Sequence, residues 1–219
     1  STILIRSNDA SVYKYAAAFA RVNYNWREKY IINLTGRRDG SSRFGPGNQF
    51  ANFGAIGAAW IFSSESFLNR LKWLSLGKLR MSYGATGSDA IGNYQYLESF
   101  SATRYPYAGS SGLALNRLAN PEYSWETNKK GEVGLEMGLW KNRLKVSASY
   151  YLNRSGNQLV GLPLPLMTGQ SSVQFNLPAV VENRGLEVVI NTTNILKDKF
   201  EWTTSVNITL PQNKLLEFP

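Results

Sequence analysis

Apolar and polar residues alternate with a period of two through most of this chain. Leu144, Val146, Ala148, Tyr150 and Leu152 interleave with Lys145, Ser147, Ser149, Tyr151 and Asn153. Val133, Leu135, Met137 and Leu139 interleave with Glu132, Gly134, Glu136 and Gly138, and Trp202, Thr204, Val206, Ile208 and Leu210 with Thr203, Ser205, Asn207 and Thr209. Helical spacing fits none of these runs, whereas side chains of a strand point to opposite faces at every second residue. The alternation predicts an all-β fold, an antiparallel meander, with strands at about 12–26, 29–37, 49–62, 76–86, 124–140, 143–155, 181–195 and 199–210. Several of these exceed the ~5–6 residues usual in soluble sheets and suit tilted membrane-spanning strands of ~9–11 residues with an extension.

The connections between strands are of two kinds, and they alternate. Short ones fall at 25–28, 141–142 and 196–198; long ones at 38–48, 87–123 and 156–180. The link 63–75 is intermediate and is expected to hold a helical turn with Ser64 or Ser66 as N-cap. In an up-and-down meander, alternate connections lie at opposite ends, so all short turns gather at one end and all long loops at the other. Membrane β-barrels are built this way, and a soluble meander has no reason to sort its loops.

Aromatic residues follow the same asymmetry. Trp26, Tyr30, Trp60, Trp73, Trp140 and Trp202 sit near the short turns, and Trp125 at the opposite end. Indole and phenol rings favour a membrane–water interface, where the apolar body and the polar tip are both satisfied. Trp26, Tyr30, Trp60, Trp140 and Trp202 are therefore expected to form an interfacial girdle; the alternative is a cap on a soluble β core. The polar face carries Glu132, Glu136, Lys145 and Glu187, with Lys78 and Arg80. In a membrane barrel that face lines the lumen while the apolar face meets lipid.

Composition removes other classes. The 219 residues contain neither cysteine nor histidine, which excludes Cys/His metal sites, a cysteine nucleophile and a Ser-His-Asp triad. No run approaches the ~18 apolar residues of a spanning helix. Net charge is +9, but the cations are scattered through turns such as Lys141-Asn142-Arg143 and Lys197-Asp198-Lys199, so nucleic acid is not an expected partner. Glycines and Pro46 in 40–47 read as turn residues, not a phosphate loop. Glu132 and Glu136 lie about 13 Å apart on one strand, too far for glycosidase chemistry. They are expected to pair with cations on the same face, such as Lys145, or with residues of a plug. No enzyme activity and no cofactor are expected.

Several phrases carry a resemblance. Tyr24-Asn25-Trp26-Arg27-Glu28-Lys29-Tyr30, then Arg38-Asp39-Gly40-Ser41-Ser42-Arg43-Phe44-Gly45, resembles a hairpin of the SusC/RagA family of TonB-linked outer-membrane transporters of Bacteroidota. The series continues through Ala59-Trp60-Ile61-Phe62, Leu79-Arg80-Met81-Ser82-Tyr83-Gly84, Ile91-Gly92-Asn93-Tyr94, Asn142-Arg143-Leu144 and Asn183-Arg184-Gly185-Leu186-Glu187, over about 12–195. The family's plug, TonB box and last strands are not among these residues, and both ends read as cut, so the chain is expected to be an internal fragment, or the ordered part, of something longer. The resemblance implies part of a barrel of about twenty-two strands. It implies a multi-pass protein of the cell outer membrane, importing an oligosaccharide or peptide with TonB-derived energy. It also implies a SusD-like surface lipoprotein over the outer loops. A passive porin-like or structural barrel is the alternative, and a soluble carbohydrate-active β protein a third.

Tyr94, Tyr96, Tyr105 and Tyr107 cluster in the longest loop. They are candidates for stacking on substrate or touching a lid; the other reading is that they pack the loop's own core. The apolar, proline-interrupted run 161–166 is not expected to form a central strand.

Overall fold

The computed structural model describes residues 10–68, 70–103 and 108–219. Tyr105 and Tyr107 lie outside the described residues. The strands are β1 (Tyr15–Trp26), β2 (Tyr30–Ser41), β3 (Phe50–Trp60), β4 (Leu74–Ser88), β5 (Ser99–Ala102), β6 (Leu113–Arg117), β7 (Glu126–Leu139), β8 (Leu144–Gly156), β9 (Gln158–Pro163), β10 (Ser172–Leu177), β11 (Val180–Lys197) and β12 (Phe200–Glu217). Eight of them form one antiparallel sheet in the order β1-β2-β3-β4-β7-β8-β11-β12. The others pair as two hairpins, β5 with β6 and β9 with β10, inside the two longest connections. The run at 161–166 thus ends one strand of a two-stranded hairpin, where Pro163 breaks no central ladder.

Cross-strand register assembles the alternating residues into two continuous faces. Trp26 pairs Tyr30, Tyr30 pairs Trp60 and Trp60 pairs Leu79. Further along, Met81 pairs Val133, Val133 pairs Tyr150, Tyr150 pairs Leu186 and Leu186 pairs Leu210. Nothing among the described residues covers this apolar face: Ile56, Met81 and Val133 are each 51% exposed. The buried apolar side chains among the described residues, Phe44, Tyr123, Trp125 and Ala179, all lie at the long-loop end. The sheet has no dry centre of its own. An apolar face this wide, left open across eight strands, is far larger than the patches soluble proteins expose and belongs against hydrocarbon.

The stagger of the strands fits a barrel wall. A row of directly paired residues runs Val22, Leu34, Ile56, Tyr83, Gly131, Leu152, Arg184, Gln212. Val22 stands four residues from the short-turn end of β1, and Gln212 stands twelve from that of β12. With the short turns at one level, the row climbs eight residues over seven steps between strands. At a rise of about 3.3 Å and a spacing of about 4.8 Å, the strands tilt by about 38°, within the ~35–45° that closure into a barrel requires.

Two of the short turns, β1–β2 and β7–β8, close by left-handed backbone. Arg27 and Glu28 have φ of 54° and 56°, and Trp140, Lys141 and Asn142 lie between 50° and 62°. Between β3 and β4 the chain makes two 3-10 turns, at Phe62–Ser64 and Ser66–Leu68. The helical turn expected there exists, but Ser64 and Ser66 lie inside the turns, and the N-cap of the first is Ile61, with no side-chain cap bond. Both turns are too short to orphan many amides, which removes the need for a serine cap. Between them, Glu65 accepts hydrogen bonds from Lys29 Nζ (3.0 Å), Tyr30 OH (2.8 Å) and Trp60 Nε1 (3.3 Å), tying this link to the first hairpin.

Two measurements check these assignments. Val133→Arg, on the open apolar face, is expected to lower the stability of the full-length barrel in lipid by about 2–4 kcal/mol. Ser147→Arg, on the polar face opposite Glu136, is expected to leave it nearly unchanged; unfolding by denaturant in vesicles reads both. Lys29, then Tyr30 and Trp60, hold the Glu65 carboxyl below its ordinary value of 4.5. Its stabilising effect is therefore complete above pH 4.5 and is lost as pH falls through the depressed value. The stability difference between the wild type and Glu65→Gln is expected to close over that acidic range and to be constant above it.

Candidate functional site

The polar face of the sheet is a wall of small and hydroxylated residues with an ionic cluster across β4 and β7. Register places Glu132, Glu136, Lys145 and Glu187 together on this face: Glu132 opposite Ser82 and Tyr151, Glu136 opposite Lys78 and Ser147, Lys145 opposite Gly138 and Asn191, and Glu187 opposite Ser149. Arg80 stands opposite Gly134, between the two glutamates. Its guanidinium reaches Glu132 Oε1 at 2.6 Å and Glu136 Oε1 at 3.1 Å, while Lys78 Nζ lies 3.5 Å from Glu136 Oε2.

The pairing expected with Lys145 is not observed. Lys145 faces a glycine one pair further along β7, and among the described residues it makes no ion pair; the carboxylates are met across the other neighbour, β4. Gly134 makes this possible. A Cβ there would lie 2.8 Å from Arg80 Nε and 2.9 Å from its Cζ, so only a residue without a side chain lets the guanidinium lie flat between carboxylates four positions apart. Each group is about one-third exposed. Pairs this wet contribute at most about 1 kcal/mol each, so the cluster chiefly fixes charge and shape on the wall.

At the long-loop end, three connections lock together. Phe44 is buried with its ring 5.1 Å from Trp125 and 6.3 Å from Tyr123, and Phe53 meets the other side of Trp125 at 5.7 Å. Trp125 Nε1 donates to Gln49 O (3.2 Å), and Asn157 Nδ2 donates to Trp125 O (2.8 Å). The Asn176 amide brackets Ser124, donating to its carbonyl (2.8 Å) and accepting from its N–H (2.9 Å). Burial raises the Tyr123 phenol above its ordinary pKa. Beside this core, Asp89 accepts from Ser41 Oγ (2.7 Å) and Tyr13 OH (2.8 Å), and Arg43 lies over the Tyr13 ring at 4.2 Å.

Tyr94 and Tyr96 belong to this brace. Tyr94 OH accepts from Val12 N at 2.8 Å, and the Tyr96 ring lies where a Cβ on Gly45 would meet it at 3.1 Å. Beyond the brace, the two hairpins expose apolar side chains, with Leu113 74%, Leu166 87% and Met167 94% exposed. The hairpins are joined by Gln170 Nε2 donating to Leu115 O. At the opposite end, the rings of Trp26, Tyr30, Trp60, Trp140 and Trp202 are all exposed, and Trp26 packs on Tyr30 at 5.6 Å.

Sequence reasoning placed Lys78 and Arg80 on the right face but not their partners, because pairing depends on a register that alternation leaves open. It missed the Ser41–Asp89–Arg43 contacts, which join positions nearly fifty residues apart. Removing Arg80 (Arg80→Ala) or filling its bed (Gly134→Val) breaks two such pairs and is expected to cost up to about 2 kcal/mol each, more in low salt than in high. Combined, they are expected to cost less than their sum, since both remove the same pairings. Denaturant unfolding of the four members of this cycle measures the shortfall.

With this geometry in hand, the likeness to known proteins has a physical meaning. The profile of the family described as "TonB dependent receptor-like, beta-barrel" matches residues 3–213. TonB-dependent receptor P39 of Formosa agariphila is 36% identical over 209 residues, which are 95% of this chain and 20% of that protein. TonB-dependent receptor SusC of Bacteroides thetaiotaomicron is 29% identical over 204 residues, 90% of this chain and 20% of SusC. The chain thus spans about a fifth of the length of these curated relatives. Among solved structures, the RagAB peptide importer in its open-open state superposes with a TM-score of 0.86 at 29% identity, covering 94% of this chain and 22% of that one. The siderophore receptor PirA of Pseudomonas aeruginosa, at 14% identity and a TM-score of 0.59, shares the fold alone. An open apolar face, a tilt suited to closure and a match over nearly every residue agree: the chain belongs to the TonB dependent receptor-like β-barrel family, with the SusC/RagA type of transporter among its relatives.

Proposed function

We propose that this chain is a barrel segment of an outer-membrane transporter that imports an oligosaccharide or a peptide using energy delivered through TonB. The observation carrying this reading is the superposition on the RagAB peptide importer over 94% of the chain, joined to a polar face that needs water or a plug against it. In this reading the short turns face the periplasm and the Trp26, Tyr30, Trp60, Trp140 and Trp202 rings sit in the inner interface. The braced long loops face outside. Glu132, Glu136, Lys145 and Glu187 line the lumen, where the charge fixed by Arg80 and Lys78 meets a plug domain supplied by the rest of the protein. The apolar hairpin tips at Leu113, Leu166 and Met167 present the surface on which a SusD-like lipoprotein lid would close. Tyr94 and Tyr96 serve by holding the loops in place, and Tyr105 and Tyr107 are the candidates in the same loop for touching substrate or lid.

Uptake decides this. Cells lacking the full-length protein are expected to lose import of labelled oligosaccharides or of labelled peptides, and to regain it with the restored gene only when TonB is present. Import that continues without TonB would instead mark a passive pore, and failure to import either class would remove the reading. Alanine at both Tyr105 and Tyr107 is expected to reduce uptake or lid co-purification; if neither changes, those two residues have no contact role.

A further inference from the structure

Cations collect on the outward, apolar side of the sheet toward its long-loop end, and two of them stand at the same level. Arg38, Lys129, Arg154, Arg184 and Lys214 all share the parity of the apolar face. Lys129 and Arg154 are directly paired across β7 and β8. Each stands ten residues from the short-turn end of its strand. At about 3.3 Å per residue and a tilt of about 38°, that is about 26 Å above the short turns, the upper rim of an apolar band ~25 Å tall. Like charges directly opposite each other in a sheet are destabilising. One carboxylate answers them: Glu182, buried, bonds Arg154 Nε at 2.9 Å and lies 3.7 Å from Arg184 Nη1. The Arg154 Nη groups and the Lys129 ammonium make no hydrogen bond or ion pair among the described residues.

A groove of about 370 Å³ opens on the lipid side directly below this pair. Gly131 and Leu152, two residues down the same strands, are part of it, and Ile56, Met81, Val133 and Tyr150 wall it. It exists because Gly131 carries no side chain between Tyr83 and Leu152, its two cross-strand neighbours. An unanswered cation pair over an apolar slot has the chemistry of an amphiphile with an anionic head.

We infer that Lys129 and Arg154 bind a phosphate of a lipid A-type glycolipid of the outer leaflet, with one of its acyl chains in the groove at Gly131. The inference rests on the orientation proposed above, in which the long loops face outside. Phosphate oxygens would accept from the Lys129 ammonium and the Arg154 Nη groups, while Glu182 holds the Arg154 Nε side and keeps the guanidinium fork turned to the membrane. Arg184 and Lys214 extend the positive rim along β11 and β12, and Arg38, over the Phe50 ring at 5.3 Å, extends it toward β1.

The test uses the full-length protein, purified in mild detergent and challenged with lipid A, dephosphorylated lipid A or a bilayer phospholipid, with bound lipid counted by native mass spectrometry. Wild type is expected to retain lipid A in preference to the other two. Lys129→Gln with Arg154→Gln is expected to weaken retention by about tenfold or more, as for loss of a charge-assisted contact. Gly131→Leu fills the slot; a Cβ at Gly131 meets nothing closer than 3.7 Å, so this variant is expected to fold and also to lose the lipid. Unchanged retention in either variant overturns the inference, as does equal retention of dephosphorylated lipid A or of phospholipid, or a second barrel on this face that the variants dissociate. Heat-modifiable migration on gels confirms folding, and either variant decides the matter alone if the other does not fold. Uptake assayed in parallel separates the two readings: transport without lipid binding sinks this one only.

Discussion

Hydrocarbon offers a backbone amide nothing to bond, so a chain that crosses it with strands must pair every strand on both sides and turn an apolar face outward. That one constraint accounts for the long ladders of this sheet, for the alternation along its strands and for the stagger between them. A register slip of one residue would exchange the two faces along a whole strand, placing Glu132, Glu136 or Lys145 in lipid. Pairing is therefore specified by the cost of ionised groups in hydrocarbon more strongly than by contact between side chains, which are largely uncovered on both faces. The ladder alone still leaves β1 and β12 with one partner each; inside a membrane, such edges need further strands, in keeping with a chain that spans about a fifth of the length of its relatives.

The two ends of the sheet answer different demands. Short turns need little more than backbone geometry, and three or fewer consecutive left-handed residues suffice. The long connections cannot rest on lipid and must make their own interior. They do so around Phe44, Tyr123 and Trp125, the aromatic rings that are buried among the described residues. Side-chain amides then substitute for strand pairing: Asn176 brackets Ser124 as a neighbouring backbone would, and Asn157 holds the next carbonyl. Loops braced in this way stand above the barrel as a shaped rim, leaving the hairpin tips to present their apolar residues.

Much of this was legible from alternation because a period of two names the face of every residue without any knowledge of neighbours. The sorting of short and long connections was legible for a similar reason, since it requires only the order of elements. What alternation does not carry is register. Arg80 could be placed on the polar face, but that it lies across Gly134 to meet two glutamates follows only from pairing β4 with β7, and the expectation of Lys145 failed there. The hairpins within the long loops escaped notice because strands of four to six residues barely repeat the pattern. Strand β12 runs on to Glu217, past Pro211. A proline normally argues against a central strand, yet here the ladder with β11 continues across Gly185 with Pro211 as its partner.

Membrane faces differ from one another, and the outward face of this sheet differs in the same sense. Its short-turn edge is lined by indole and phenol rings, suited to a zone where carbonyls, glycerol and water mix. Its long-loop edge carries guanidinium and ammonium groups with too few carboxylates beside them, suited to a zone dense in fixed negative charge. A sheet symmetric about the bilayer centre would have no reason to keep Lys129 opposite Arg154, since each raises the energy of the other. Their persistence at one rim, above a slot that a single larger side chain at Gly131 would fill, is accounted for when the surrounding leaflet supplies the missing anion. On the two readings proposed above, the barrel wall does two jobs with its two faces: the polar one shapes a conduit, and the apolar one reads which leaflet it stands in.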